Sequence, residues 1–225
     1  MSRALFVTGT DTEVGKTAVS CALLRAAARA GLSTAAVKPV AAGCDAGGRN
    51  EDALALLAAM TTDLDYARVN PVALPDALAP HIAAARAGRR LQVSRLAGFC
   101  RGVVGEGADL TLIEGAGGWR VPVSDRETLA DLARELALPV LLVVGMRLGC
   151  INHALLTAEA IRRDRLVLAG WVANTCGPPM AAYEDNLDTL VRLLGAPLLG
   201  ALPRLDPWDP DEAAEFLDIQ LLEGV

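Results

Sequence analysis

Gly9-Thr-Asp-Thr-Glu-Val-Gly-Lys-Thr17 is the stretch whose reading decides the fold. Ahead of it, Ala4-Leu-Phe-Val7 has the length and apolarity of a buried strand. Behind it, residues 16–30 follow a helical pattern that stops at Gly31. A strand that turns sharply through glycine into a helix aims consecutive backbone N–H groups at one point, and that point suits a phosphate. In this setting Lys16 reaches the β- and γ-phosphates of a nucleotide and the Thr17 hydroxyl ligates Mg2+. Five residues separate Gly9 from Gly15, where the usual phosphate loop has four, so this is a variant loop. Lys16 is not expected to be a core residue, because an unpaired ammonium is costly to bury.

Outward from the loop, strand-length apolar runs alternate with helical patterns. Strands are expected at 34–40, 110–113, 139–144, 167–173 and 198–202, and helices at 51–59, 91–104, 127–136, 150–163 and 183–194. In the 127–136 segment, Leu129, Leu132, Ala133 and Leu136 share one face. Gly115-Ala-Gly-Gly118 reads as a turn, and 61–90 is rich in proline and weakly patterned. Strands that are apolar on both faces and followed by helices imply an α/β, single-domain parallel-sheet fold with helices on both faces, spanning 1–225. Such a sheet binds its ligand at the carboxyl ends of the strands.

That rule selects the remaining candidates. Glu114 closes the 110–113 strand as a second acidic group of a nucleotide site, and Gly115, Gly117 and Gly118 let the backbone pass close to a ligand. Asp52 follows Asn50-Glu51 at a helix start and is either a helix cap or a Mg2+ ligand. Lys38, before Pro39, holds a γ-phosphate or substrate anion if the first two strands are neighbours; the bland reading is a solvated strand-end lysine. His81 and His153 have no partner spacing and read as packing or capping groups, and Trp119 and Trp171 as packing groups, with Trp119 near the site.

Composition narrows the class. The 225 residues carry 21 Lys+Arg against 27 Asp+Glu, a net charge of -6 that argues against nucleic acid or an anionic membrane as the main partner. Apolar residues make up 52% of the chain and exclude disorder, yet only 4% is aromatic, so aliphatic and small side chains build the core. No apolar run reaches the ~20 residues of a membrane span, since 136–146 is short and 166–183 is broken by Asn174, Gly177, Pro178 and Pro179. The N-terminus shows no signal-peptide core. Cys21, Cys44, Cys100, Cys150 and Cys176 are odd in number and scattered, the pattern of reduced thiols in a cytoplasmic protein.

Six segments in order resemble the dethiobiotin synthetase family, of the P-loop NTPase superfamily. They are Phe6-Val-Thr-Gly-Thr-Asp-Thr-Glu-Val-Gly-Lys-Thr17, Lys38-Pro-Val40, Asp52-Ala-Leu-Ala-Leu56, Glu114-Gly-Ala-Gly-Gly-Trp119, Leu148-Gly-Cys-Ile-Asn-His153 and Gly170-Trp-Val-Ala-Asn174. The resemblance implies a homodimeric ligase that uses MgATP to join CO2 to 7,8-diaminopelargonic acid and close the ureido ring of dethiobiotin. It implies an N7-carbamate, then a carbamic–phosphoric anhydride attacked by the second amine. By the same resemblance Lys16 and the amides of Glu13, Val14, Gly15, Thr17 and Ala18 hold the ATP phosphates. Lys38 balances the carbamate and the moving phosphoryl, and Thr12 hydrogen-bonds the carbamate. Thr17, Asp52 and Glu114 gather Mg2+, with Gly115, Ala116 and Gly117 beside the nucleotide. Asn174 and Thr175 read the base with Pro203, Arg204 and Leu205. Gly149, Cys150, Ile151 and Asn152 meet the substrate carboxylate with helix-start amides, near the subunit interface.

The chain departs from the family pattern at several positions. Ala42 stands where a substrate-side serine is common, and Thr175 where some members have an acid. Asn186 aligns with a substrate tyrosine, with Tyr183 a turn away, and the base-reading carboxylate lies among Asp209, Asp211 and Glu212. The alternative is a nucleotide switch like the partitioning and division-site ATPases, whose signature lysine aligns with Asp11. An amide synthase with a similar N-terminal domain would need a glutaminase domain for which 225 residues leave no room.

Overall fold

The aliphatic runs become strands and the amphipathic segments cover them. A computed structural model describes residues 3–178 and 180–222. In chain order the elements are β1 (Arg3–Gly9), α1 (Lys16–Arg29), β2 (Thr34–Val37), β3 (Ala41–Ala42), α2 (Glu51–Ala59), α3 (Tyr66–Val69), β4 (Ala73–Leu74), α4 (Pro80–Arg86) and α5 (Val93–Val104). They continue with β5 (Leu110–Gly118), α6 (Leu129–Leu136), β6 (Val140–Gly145), α7 (Cys150–Arg163), β7 (Leu168–Asn174), α8 (Tyr183–Leu194), β8 (Leu198–Leu202) and α9 (Pro210–Ala214). The main sheet has six strands in the order β2-β5-β1-β6-β7-β8. Every pair in it is parallel, and helices lie on both sides, as β-α alternation requires. The central strands are closed to water on both faces: β6 and β7 are buried at every position. Trp171 and Phe6 are the largest side chains wholly enclosed.

Three expectations need correction, and the condition set for Lys38 fails. β5 lies between β1 and β2, so the first two strands are not neighbours. Register nevertheless places Lys38 by the site, because Val37 pairs with Ile113 and Val7 with Glu114, which brings the ends of β1, β2 and β5 together. The second strand stops at Val37, since the Lys38 N–H donates to the Val69 carbonyl at 2.7 Å and not to a strand. Residues 115–118 belong to strand β5 and not to a turn: pairing with β1 is interrupted by an irregularity after Glu114, where Gly117 takes a φ of 67, and resumes with Gly9 opposite Gly118. The helix expected from 127 starts at Leu129, because Thr128 and Asp131 form a capping box. The weakly patterned 61–90 region contributes α3, α4 and β4, and β4 pairs with β3 in a separate two-stranded parallel sheet.

No helix among the described residues is long and apolar enough to cross a membrane. All five cysteines are free thiols.

A charged cluster at the carboxyl ends of β1, β2 and β5

The loop between β1 and α1 is shaped by its glycines and tied down from outside. Gly15 is the N-cap of α1 at φ 82, a left-handed conformation that costs a residue with a Cβ. A Cβ there would also lie 2.1 Å from the Asn174 side-chain nitrogen. That nitrogen donates to the Val14 carbonyl at 2.8 Å, so the end of β7 holds the loop in place. Asp11 holds the other side: one carboxylate oxygen accepts from the Thr12 N–H at 2.8 Å, and the other meets the Arg147 guanidinium at 2.5 Å. Thr12 and Glu13 are exposed at the rim, whereas Val14 is buried.

Lys16 is buried, with only 7% of its surface exposed, contrary to the expectation that this ammonium stays out of the interior. Its Nζ donates to the Asp11 carbonyl at 3.2 Å, and it makes no ion pair among the described residues. Burial lowers its pKa from the ordinary lysine value, only partly opposed by the field of Glu114.

Lys38 is as buried, at 4%, which excludes the solvated strand-end reading, but its surroundings are opposite in kind. Its Nζ lies 2.5 Å from Asp52 Oδ2 and 2.8 Å from Glu114 Oε1. Burial alone would push its pKa down; the carboxylates of Glu114 and Asp52 override that and hold it above the usual lysine value. Burial likewise opposes ionisation of Asp52, and Lys38 outweighs it, so the Asp52 carboxyl sits below its ordinary range.

Glu114 is completely buried and anchored by three donors. Besides Lys38, the Thr17 hydroxyl donates to Oε1 at 2.7 Å and the Ser20 hydroxyl to Oε2 at 2.8 Å. Glu114 is therefore not an ordinary exposed strand-end carboxylate. Beside the cluster, burial and then the charge of Glu114 push the Cys21 thiol up to about 12, so it stays neutral.

The helix-cap reading of Asp52 is also excluded, because Asn50 caps α2 by accepting from the Ala53 N–H. Asn50, Tyr66 and Asn70 form a supporting chain that the sequence reading missed. The Asn50 N–H donates to the Tyr66 hydroxyl at 2.7 Å, that hydroxyl donates to Asn70 Oδ1 at 3.2 Å, and the Asn70 amide donates to the Lys38 carbonyl at 2.8 Å. Nothing in their spacing links them to Lys38. Ser20 was legible in principle, one helical turn after Thr17 on the same face of α1.

Thr17, Asp52 and Glu114 present a hydroxyl and two carboxylates at one place, hard oxygen donors of the type Mg2+ takes in small number beside phosphate oxygens. No group of three or more His, Cys, Asp or Glu side chains suited to an all-protein metal site occurs among the described residues. Gly117, at φ 67, brings the end of β5 against the loop, where an added Cβ would lie 3.3 Å from the Thr12 hydroxyl. Gly115 and Ala116 lead up to it along the same strand.

The other predicted residues fall in three further places. Asn174 and Thr175 end β7 beside β8, where the Thr175 N–H donates to the Leu202 carbonyl at 3.0 Å, next to Pro203, Arg204 and Leu205. Burial raises the pKa of the Tyr183 hydroxyl, which lies near Thr175. Asp209 caps α9 and Asp211 pairs with Arg25 and Arg29, so two of the three carboxylates considered for the base have structural partners. Gly149, Cys150, Ile151 and Asn152 start α7, with Gly149 as its N-cap at φ 96 and no side-chain cap. Cys150 is buried and its thiol lies 4.0 Å from Asn186 Oδ1, so Asn186 does reach this helix start. Ala42, on β3, has its carbonyl 3.4 Å from the Asn50 amide. Trp119 packs its ring edge-on to Phe6 and donates to Asp164 at 2.7 Å, a structural role.

A family model described as an AAA domain matches residues 3–212. The ATP-dependent dethiobiotin synthetase BioD of Pseudomonas aeruginosa (strain UCBPP-PA14) is 59% identical over 222 residues, covering 97% of both chains. Its namesake BioD 1 of Escherichia coli O157:H7 is 49% identical and covers 99% of this chain and 100% of its own. Among solved structures, chloroplast FtsY from Physcomitrella patens superposes with a TM-score of 0.57 at 17% identity, over 99% of this chain and 64% of that one. MinD in the MinC:MinD complex of Aquifex aeolicus gives 0.57 at 14%, over 98% and 93%. At such identities these two report the shared P-loop NTPase fold alone.

Proposed function

The chain belongs to the ATP-dependent dethiobiotin synthetase family, ligases of biotin biosynthesis, and from that premise we propose the route by which its residues act. The substrates are 7,8-diaminopelargonic acid, CO2 and ATP. The N7 amine takes up CO2 and loses a proton to give a carbamate. A carbamate oxygen then attacks the γ-phosphorus, ADP leaves, and a carbamic–phosphoric anhydride remains. The second amine attacks the carbonyl carbon, phosphate departs, and the ureido ring of dethiobiotin is closed.

One observation carries this reading: two buried lysines meet at the same strand ends, one neutralised by carboxylates and one bonded, among the described residues, only to a carbonyl. Lys16, with the amides of Glu13 to Ala18, holds the triphosphate. Lys38, fixed by Glu114 and Asp52, balances charge on the carbamate and the transferring phosphoryl. The Thr12 hydroxyl orients the carbamate. Positioned charge of this kind in a site shielded from water is the main catalytic resource of phosphoryl transfer. Thr17, Asp52 and Glu114 would hold Mg2+, which supplies positive charge to the triphosphate oxygens.

For the base, Asn174 uses its amide nitrogen on Val14, which leaves its oxygen to accept from the adenine amino group, flanked by Thr175 and residues 203–205. The α7 start offers the amides of Gly149, Ile151 and Asn152 to the substrate carboxylate, while the Cys150 N–H is taken by the Arg147 carbonyl at 2.9 Å. Leu148 beside it is 94% exposed, which supports burial of this edge in a homodimer. Free thiols throughout suit a cytoplasmic enzyme.

The test is phosphate release from MgATP in the presence of bicarbonate, with and without the diamine. Release that depends on the diamine and yields dethiobiotin is expected. ATP hydrolysis indifferent to the diamine would overturn the reading in favour of a nucleotide switch.

A further inference from the structure

Between residues 77 and 105 the chain carries five arginines and no aspartate or glutamate, although its net charge is -6. Two of the five are paired, Arg86 with Asp76 at 3.4 Å and Arg101 with Glu135 at 3.0 Å. The other three, Arg89, Arg90 and Arg95, line one cavity of about 200 Å³ and make no ion pair among the described residues. The cavity lies at the connection of α4 to α5, and none of its lining residues belongs to the cluster described above. Its other walls include the buried Val72 and Leu96, together with Phe99.

Two of these arginines are already held. Arg89 donates to the Ala73 carbonyl at 2.9 Å, and the Arg95 guanidinium lies 5.8 Å from the centre of the Phe99 ring. Anchored guanidinium groups lose little further freedom on binding, and their planar forks match oxyanions. Three like charges around an apolar-backed hollow repel one another, and a multivalent anion between them reverses the sign of that interaction. The Glu127 carboxylate reaches the start of α5 but accepts there from the Val93 N–H and the Ser124 hydroxyl. The first turn of α5 holds no acidic residue. A hollow of this size is smaller than the usual pocket for a whole nucleotide or drug-sized ligand.

We propose that this arginine-lined cavity is a second anion site, separate from the phosphate loop, and that it takes a compact phosphate-type oxyanion, either free or as the ester end of a small metabolite. The proposal does not depend on the reaction assigned above. Calorimetric titrations at fixed ionic strength would use inorganic phosphate, pyrophosphate and glycerol phosphate as probes, on the wild-type chain and on the double variant Arg90→Gln/Arg95→Gln. Both positions are exposed, and melting curves would verify that the variant is folded. The phosphate loop is intact in both proteins, so its binding cancels in the comparison. At least one probe is expected to show a binding event that weakens at least ~10-fold in the variant, as loss of charge-assisted contacts requires. The tightest probe distinguishes free phosphate from the ester. Superimposable titrations of the two proteins with all three probes would overturn the proposal.

Discussion

The phosphate loop and the end of β2 each bury a lysine within one cluster, and the two are built on opposite terms. Lys38 sits between Asp52 and Glu114, so its charge is balanced before any ligand arrives. Lys16 has a backbone carbonyl alone among the described residues, and its burial costs stability at neutral pH, since its folded pKa lies below the ordinary lysine value. The fold thus pairs one cation in advance, and in the proposed route it leaves the other for an anion from outside. Identical residue types, equally buried, differ in whether their charge is paired before a ligand arrives.

Substitution separates the two roles. Lys16→Gln is expected to lower turnover by at least ~100-fold, the scale of losing a positioned charge in a closed site, while thermal stability stays level or rises. Lys38→Gln is expected to lower turnover by a similar ~100-fold. It should also destabilise the fold by about 3 kcal/mol, because it leaves a buried carboxylate without its cation. Steady-state kinetics and denaturant melts on the same two preparations check both halves. A destabilised Lys16 variant, or an unaffected Lys38 variant, would break the contrast.

A smaller effect probes the frame of the loop. Gly15→Ala would put a methyl group 2.1 Å from the Asn174 amide at a φ of 82. Displacing that amide and straining the turn should cost about 1–3 kcal/mol and weaken nucleotide binding measured by calorimetry. The smallest effect is in acid. Asp52 titrates below the ordinary carboxyl value of 3.8 in the folded chain, so its contribution is complete above that value and is lost as pH falls through the folded pKa. The stability gap between wild type and Asp52→Asn, measured by melting from pH 6 down to pH 2, should therefore close only in the strongly acid range. It should amount to about 1 kcal/mol at most, since this side chain is 45% exposed.

Much of the fold was legible because parallel strands covered on both sides need continuous apolar runs, and β1, β6 and β7 provide them without interruption. The position of β5 between β1 and β2 was not legible, because strand order is set by packing across the sheet and leaves no mark in local pattern. The β3–β4 pair was missed for a related reason: two residues per strand give no periodicity to read. In the cluster, Lys16, Thr17, Lys38, Asp52 and Glu114 could be named from their places at strand ends and a helix start. The network through Asn50, Tyr66 and Asn70 could not, since each is an ordinary polar residue whose role appears only once the chain returns to Lys38.

The difference between the two lysines is most directly tested by NMR titration of the side-chain ammonium groups in selectively labelled protein, with and without bound ADP. Lys16 in the free chain is predicted to lose its proton below the ordinary lysine value of 10.5 and to titrate higher once the β-phosphate is bound, while Lys38 stays protonated above 10.5 in both states. A Lys16 ammonium that already titrates above 10.5 without nucleotide, or that ADP leaves unmoved, would contradict the account.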